Sequence, residues 1–156
     1  MNNPAPGQPN DQNEPASLAR LSNEPDRPTL LLVEDEQDTA DLVTMIMEAE
    51  GYHVIHAANG RFALGLIESL PPPALVLLDM LLPYISGAAL LEHIRQTELS
   101  WKDVPVIMLT ADNSARDVRE CLALGARDYI LKPFKRDMLV SRLRRFRPDR
   151  ADSTMA

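Results

Sequence analysis

The chain is predicted to be an α/β protein, a five-stranded parallel sheet with helices on both faces. Five short apolar runs alternate with five helical stretches, and strands that alternate with helices pair in parallel through crossovers. The run Val76-Leu77-Leu78 is rich in Val and Leu with no polar alternation, the composition of a strand buried on both faces. Most of the runs also end at a chemically capable side chain. In an open α/β sheet, ligands bind outside the carboxyl ends of the strands.

Residues 1–28 carry Pro4, Pro6, Gly7, Pro9, Asn10, Gln12, Asn13 and Pro15. They cannot build an apolar face, so a disordered tail is expected, with Leu18 and Leu21 able to form a helical turn. Thr29-Leu30-Leu31-Leu32-Val33 is the first strand, followed at once by Glu34-Asp35. Asp38 to Glu50 reads as a helix with Leu42, Met45, Ile46 and Ala49 as one apolar stripe, stopped by Gly51. Tyr52 to Ala57 is the second strand, and Asn59-Gly60 turns into a helix that lasts to about Leu70. Pro71-Pro72-Pro73 breaks it before the third strand, which ends at Asp79.

Pro83 stops pairing, and Gly87 allows a tight backbone before the third helix. That helix opens at Ser86 or Gly87 with Leu90, Leu91 and Ile94 apolar. Trp101 lies in the following loop, before the fourth strand and so at the sheet end opposite the carboxylates. Val104 to Leu109 is that strand, ending at Thr110, with Pro105 tolerated near its start. Asn113 or Ser114 caps a fourth helix that runs to Gly125. Asp128-Tyr129-Ile130-Leu131 is the fifth strand, followed by Lys132-Pro133. The last helix starts near Lys135, places Leu139, Leu143 and Phe146 on one face, and ends at Pro148. A short polar tail spans 148–156.

At 156 residues and 45% hydrophobic, the chain can bury one real core. A net charge of -7 argues against nucleic acid as a direct partner. One cysteine, Cys121, excludes an internal disulfide and fits a cytoplasmic location. No apolar stretch is long enough to span a bilayer, and the first residues hold no basic segment followed by an apolar one, so a signal peptide is not expected.

The strand ends bring Glu34, Asp35, Asp79, Thr110 and Lys132 to one crevice. Asp79 alone reads equally well as a turn or cap residue; the set decides. Crowded carboxylates repel and call for a cation. An all-oxygen donor set favours Mg²⁺ over softer metals. His53, His56 and His93 are scattered and read as surface or strand-face residues. Beside Mg²⁺, one carboxylate can attack a phosphoryl group to give an aspartyl-phosphate. No glycine-rich phosphate loop is present, which speaks against ATP as a ligand.

The residues Glu34-Asp35, Asp79-Met80-Leu81-Leu82-Pro83 with Gly87, Thr110-Ala111, Tyr129 and Lys132-Pro133-Phe134 together resemble the receiver domain of bacterial two-component response regulators. The likeness, to a single-domain chemotaxis-type regulator, covers about Thr29 to Arg147. It implies a flavodoxin-like fold with strand order 2-1-3-4-5. It implies that Asp79 is the phosphoacceptor. Asp35, Asp79 and the backbone carbonyl of Leu81 would hold Mg²⁺, and Glu34 would reach it through water. Glu34 stands where Asp is commoner, a mild departure. Lys132 would pair with phosphoryl oxygens, across a cis Lys132–Pro133 bond. Thr110 and Tyr129 would form the switch. Leu81 and Asp112 occupy positions where the family varies.

The implied function is a phosphorelay switch, loaded on Asp79 by a sensor histidine kinase or a histidine phosphotransfer protein. Such a protein is not a dedicated enzyme; self-catalysed phosphoryl acceptance and slow autodephosphorylation are expected. Its output passes to an unidentified protein. Two alternatives stand beside this: a constitutive adaptor that keeps the fold without using the site, and the N-terminal part of a longer regulator with a DNA-binding effector. A phosphatase reading is weaker, because Leu81 supplies no second acid. The basic C-terminal stretch, with Lys135, Arg136, Arg142, Arg144, Arg145, Arg147 and Arg150, is a solvated helix face or a homodimer interface. In the second case Arg136 or Arg142 would meet Asp117 or Glu120 of a partner.

Overall fold

The computed structural model describes residues 27–97, 100–111 and 114–148. The sheet consists of β1 (Thr29–Val33), β2 (His53–Ala57), β3 (Leu75–Asp79), β4 (Val106–Thr110) and β5 (Asp128–Leu131). All pairs are parallel, in the order β2-β1-β3-β4-β5. The crossovers are α1 (Gln37–Ala49), α2 (Gly60–Ser69), α3 (Gly87–Gln96) and α4 (Ala115–Ala123), and α5 (Arg136–Arg144) closes the fold. This is the doubly wound arrangement that the alternation of runs predicts.

Alternation along each strand divides the core into two layers. Leu30, Leu32, Leu75, Leu77, Ile107, Leu109 and Ile130 face α1 and α5. Leu31, Val33, Val76, Leu78, Val106 and Met108 face the other way, toward α2, α3 and α4. The central strand β3 is buried at every position, so its polar end must open into the crevice rather than into a layer.

The helix ends follow side-chain chemistry. Asn59, Ser86 and Ser114 each accept a backbone N–H from the first turn of α2, α3 and α4, which satisfies donors a helix cannot satisfy itself. Of the two residues expected to cap α4, Ser114 does so; Asn113 and Asp112 lie outside the described residues, as do most of the N-terminal segment and the end of the C-terminal one.

Three expectations need correction. The buried face of α1 is Ala40, Val43, Ile46 and Met47. Of the expected stripe only Ile46 is inside, and Leu42 and Met45 face outward. Both rows satisfy helical spacing and share Ile46, so spacing alone could not set the rotation. β4 begins at Val106 rather than Val104: Val104 donates back to Trp101 in a 3-10 turn (Ser100–Asp103), and the ladder starts with the Pro105 carbonyl, which accepts from Val76. α5 ends at Arg144, before Pro148.

Arg95 was not foreseen. Its guanidinium donates to the carbonyls of Lys102, Val104 and Gly125, at 2.7–3.2 Å, and ties α3 to the end of α4 and to the turn before β4. At the same end of the sheet Trp101 is buried, its indole N–H donating to the Leu70 carbonyl at 3.1 Å. Arg144 meets the Glu50 carboxylate, and Arg147 donates to the Glu50 carbonyl at the end of α1 while lying over the Tyr52 ring. Tyr52 is 2% exposed, and its hydroxyl has no hydrogen-bond partner among the described residues.

Candidate functional site

The carboxyl ends of β1 and β3 are neighbours, Val33 opposite Leu78, so the residues that follow them meet. Glu34, Asp35 and Asp79 each offer an oxygen within 4.8 Å of the others. Their surroundings differ: Glu34 is 1% exposed and Asp79 is 6% exposed, whereas Asp35 faces solvent. Lys132, one residue past β5, crosses the crevice to this cluster. Its ammonium donates to Glu34 Oε2 at 2.7 Å and to Asp79 Oδ2 at 3.2 Å. The positive charge that the carboxylates require is thus supplied within the chain, in addition to any metal.

Backbone groups complete the cluster. Asp79 Oδ1 accepts the Leu81 N–H at 3.2 Å, and Glu34 Oε1 accepts the Glu36 N–H at 3.2 Å. The Leu81 side chain itself is exposed. His56 bonds through Nε2 to the Glu34 carbonyl at 2.8 Å. Its reading as a strand-face histidine missed this support. The only available signal was its register opposite Leu32, one residue short of the end of β1. Gly87 packs where any side chain would collide: a Cβ there would strike the Asp79 carbonyl and Met80 Cα. The first turn of α3 can therefore lie directly on the strand end that carries Asp79.

Burial raises Glu34 above the ordinary carboxylate range; Asp79 adds to the rise, and the Lys132 contact offsets part of it. For Lys132, burial works against the charged form, but Glu34 and Asp79 outweigh it and hold the ammonium above its usual value. The lysine is therefore firmly cationic at neutral pH.

Thr110 and Tyr129 lie on the α4 side of the sheet. With Met80, Met108, Asp117, Val118 and Cys121 they line one cleft between β4, β5 and α4. Thr110 is buried and Tyr129 half-buried. Met80, directly after Asp79, thus connects the acidic cluster to this cleft, and its sulfur meets Cys121 Sγ. The Lys132–Pro133 bond is cis, and the Lys132 N–H donates to the Thr110 carbonyl at 2.8 Å. Glu34, Asp35, Asp79, Leu81, Thr110 and Lys132 close or follow their strands at one end of the sheet, whereas Tyr129 sits inside β5 opposite Met108. Arg142, one of the two arginines expected to meet a partner, bonds to its own Asp128 with contacts of 2.9 and 3.0 Å.

A family model described as the response regulator receiver domain matches residues 30–144. The chain belongs to that family. Among relatives, the transcriptional regulatory protein YrkP of Bacillus subtilis is 38% identical over 122 residues, covering 75% of this chain and 50% of that protein. The phosphate regulon regulator PhoB of Pseudomonas aeruginosa is 38% identical over 116 residues, covering 74% of this chain and 50% of its own length. The receiver thus spans about half the length of these relatives. Among solved structures, the chemotaxis response regulator CheY4 of Vibrio cholerae superposes with a TM-score of 0.72 at 27% identity, covering 78% of this chain and 99% of that one. The receiver domain of the sensor histidine kinase PA1611 of Pseudomonas aeruginosa gives 0.70 at 33% identity, covering 77% and 97%, and has a magnesium ion coordinated in its cleft. Among the described residues of this receiver, no helix is long and apolar enough to cross a membrane.

Proposed function

We propose that this receiver is a phosphorylatable switch that takes a phosphoryl group onto Asp79 from a phosphohistidine of a sensor kinase or phosphotransfer protein. The observation that carries this reading is the Lys132 ammonium held against Glu34 and Asp79, with Asp35 beside them. In the transfer, an Asp79 carboxylate oxygen forms a bond to phosphorus as the bond from phosphorus to the donor breaks. The electron pair leaves on the histidine imidazole, or on acetate when acetyl phosphate is the donor. Lys132 follows the charge from the carboxylate to the phosphoryl oxygens, which suits an ammonium that burial has not neutralised. Thr110 turns its hydroxyl toward the phosphoryl group, and Tyr129 fills the cleft that the two share.

The three carboxylates offer oxygen only and fit a hard divalent cation. Held by Asp35, Asp79 and the Leu81 carbonyl, and by Glu34 through water, Mg²⁺ would neutralise charge on the transferring oxygens. Output passes by protein contact in the cytoplasm, and hydrolysis of the aspartyl-phosphate is slow and self-catalysed. The half-length match to regulators named as transcriptional supports a second reading, in which the receiver governs a DNA-binding effector. The adaptor reading gives the cluster of Lys132, Glu34, Asp35 and Asp79 no reacting group to serve.

Acetyl phosphate with Mg²⁺, followed by mass-spectrometric mapping, tests the assignment. One phosphoryl group should appear, on Asp79, and Asp79→Asn should abolish it. Equal labelling of that variant would overturn the proposal.

A further inference from the structure

The outward face of α1 carries an apolar row that the acidic site does not use. Leu42 is 44% exposed and Met45 is 63% exposed, and Ala49 continues the row one turn further. Helical geometry places Asp38 at the site end of the row, with Asp41 and Glu48 along one flank. α1 contains no lysine or arginine. On the other flank, Arg144 and Arg147 are already engaged by Glu50. The face therefore suits a short segment with two apolar side chains one turn apart and a cation between them.

The chain contains such a segment. Ala16–Ser22 reads Ala-Ser-Leu-Ala-Arg-Leu-Ser, and Leu18 and Leu21 are the only leucines before Arg27. The start of β1 lies close to the end of α1, because His53, just past α1, donates its N–H to the Pro28 carbonyl at 2.9 Å. From Ser22 to Arg27 an extended chain spans up to about 17 Å. Met45 and Leu42 stand only about 6 and 10 Å along the helix from Ala49.

We propose that Ala16–Ser22 docks on the Leu42–Met45–Ala49 row of α1, with Leu18 and Leu21 covering Leu42 and Met45 and Arg20 facing Asp41 and Glu48. The contact is independent of the phosphorylation chemistry, so its test stands apart from that reading.

A nitroxide on Ser17→Cys in the full chain, with Cys121 buried and out of reach, reports the contact by NMR. In the oxidised sample the amides of Leu42, Met45 and Ala49 should lose most of their intensity, while those on the outer faces of α2 and α3 keep theirs. Leu18→Ser combined with Leu21→Ser should restore the α1 signals, and so should Leu42→Glu with Met45→Glu. No loss on α1, or a loss that survives the Leu18/Leu21 change, overturns the proposal. A mixture of spin-labelled unenriched chain with isotope-enriched unlabelled chain should show no loss; a loss there assigns the row to a second copy and overturns intramolecular docking.

Discussion

Lys132 touches two acids at once, and its contact with Glu34 is the shorter. This makes Glu34 more than a spare ligand. Its carboxylate pKa is raised, chiefly by burial, so the stability it contributes is full below the ordinary carboxylate value of 4.5 and is lost as pH rises through the higher folded value. Glu34→Gln removes that loss. In EDTA, the melting temperature of the variant relative to the parent should therefore increase as pH is raised from below 4.5 to neutrality; a difference independent of pH would refute the assignment. Lys132→Ala should still bind Mg²⁺, read by titration calorimetry, yet show little of the parent's spectral change after acetyl phosphate. At this scale the sequence was informative because each chemical residue stands next to the end of an apolar run. It was silent on the link between Lys132 and Glu34, which are 98 residues apart and meet only once the sheet is assembled.

Among the elements, type and order were legible, and rotation was not. Gly51 and Gly125, both at positive φ, mark helix ends because backbone geometry there is local. The rotation of α1 is set by the sheet beneath it, and two overlapping rows left it undecided. The Arg95 tie was hidden for the same reason, since its acceptors are all backbone carbonyls that carry no sequence signature. Arg95→Ala should cost about 1.5–3 kcal/mol by urea denaturation, the range for hydrogen bonds from a charged group, and Arg95→Lys should recover little, lacking the planar fork. Ser114→Ala removes the cap of α4 and should cost about 1 kcal/mol. Unchanged midpoints would show these contacts to be incidental.

For the molecule as a whole, the parallel sheet separates chemistry from packing: the acids stand at one end, and Trp101 and Tyr52 at the other. Mg²⁺ should leave the Trp101 fluorescence nearly unchanged, and strong direct quenching would contradict that placement. Charge at the acidic end also weighs on the fold. Asp79→Asn keeps the shape and removes one of three crowded charges, so in EDTA it should be more stable than the parent by about 1 kcal/mol or somewhat more. Millimolar Mg²⁺ should raise the melting temperature of the parent more than that of the variant. Identical melts with and without Mg²⁺ would remove the metal site. The hydroxyl of Tyr52 offers the converse opportunity. A buried oxygen without a partner among the described residues is a defect that an engineer can delete by one atom: Tyr52→Phe keeps the ring under Arg147 and should add about 1 kcal/mol. Such a variant would be a sturdier host in which destabilising changes at the acidic end could be studied without losing the folded protein.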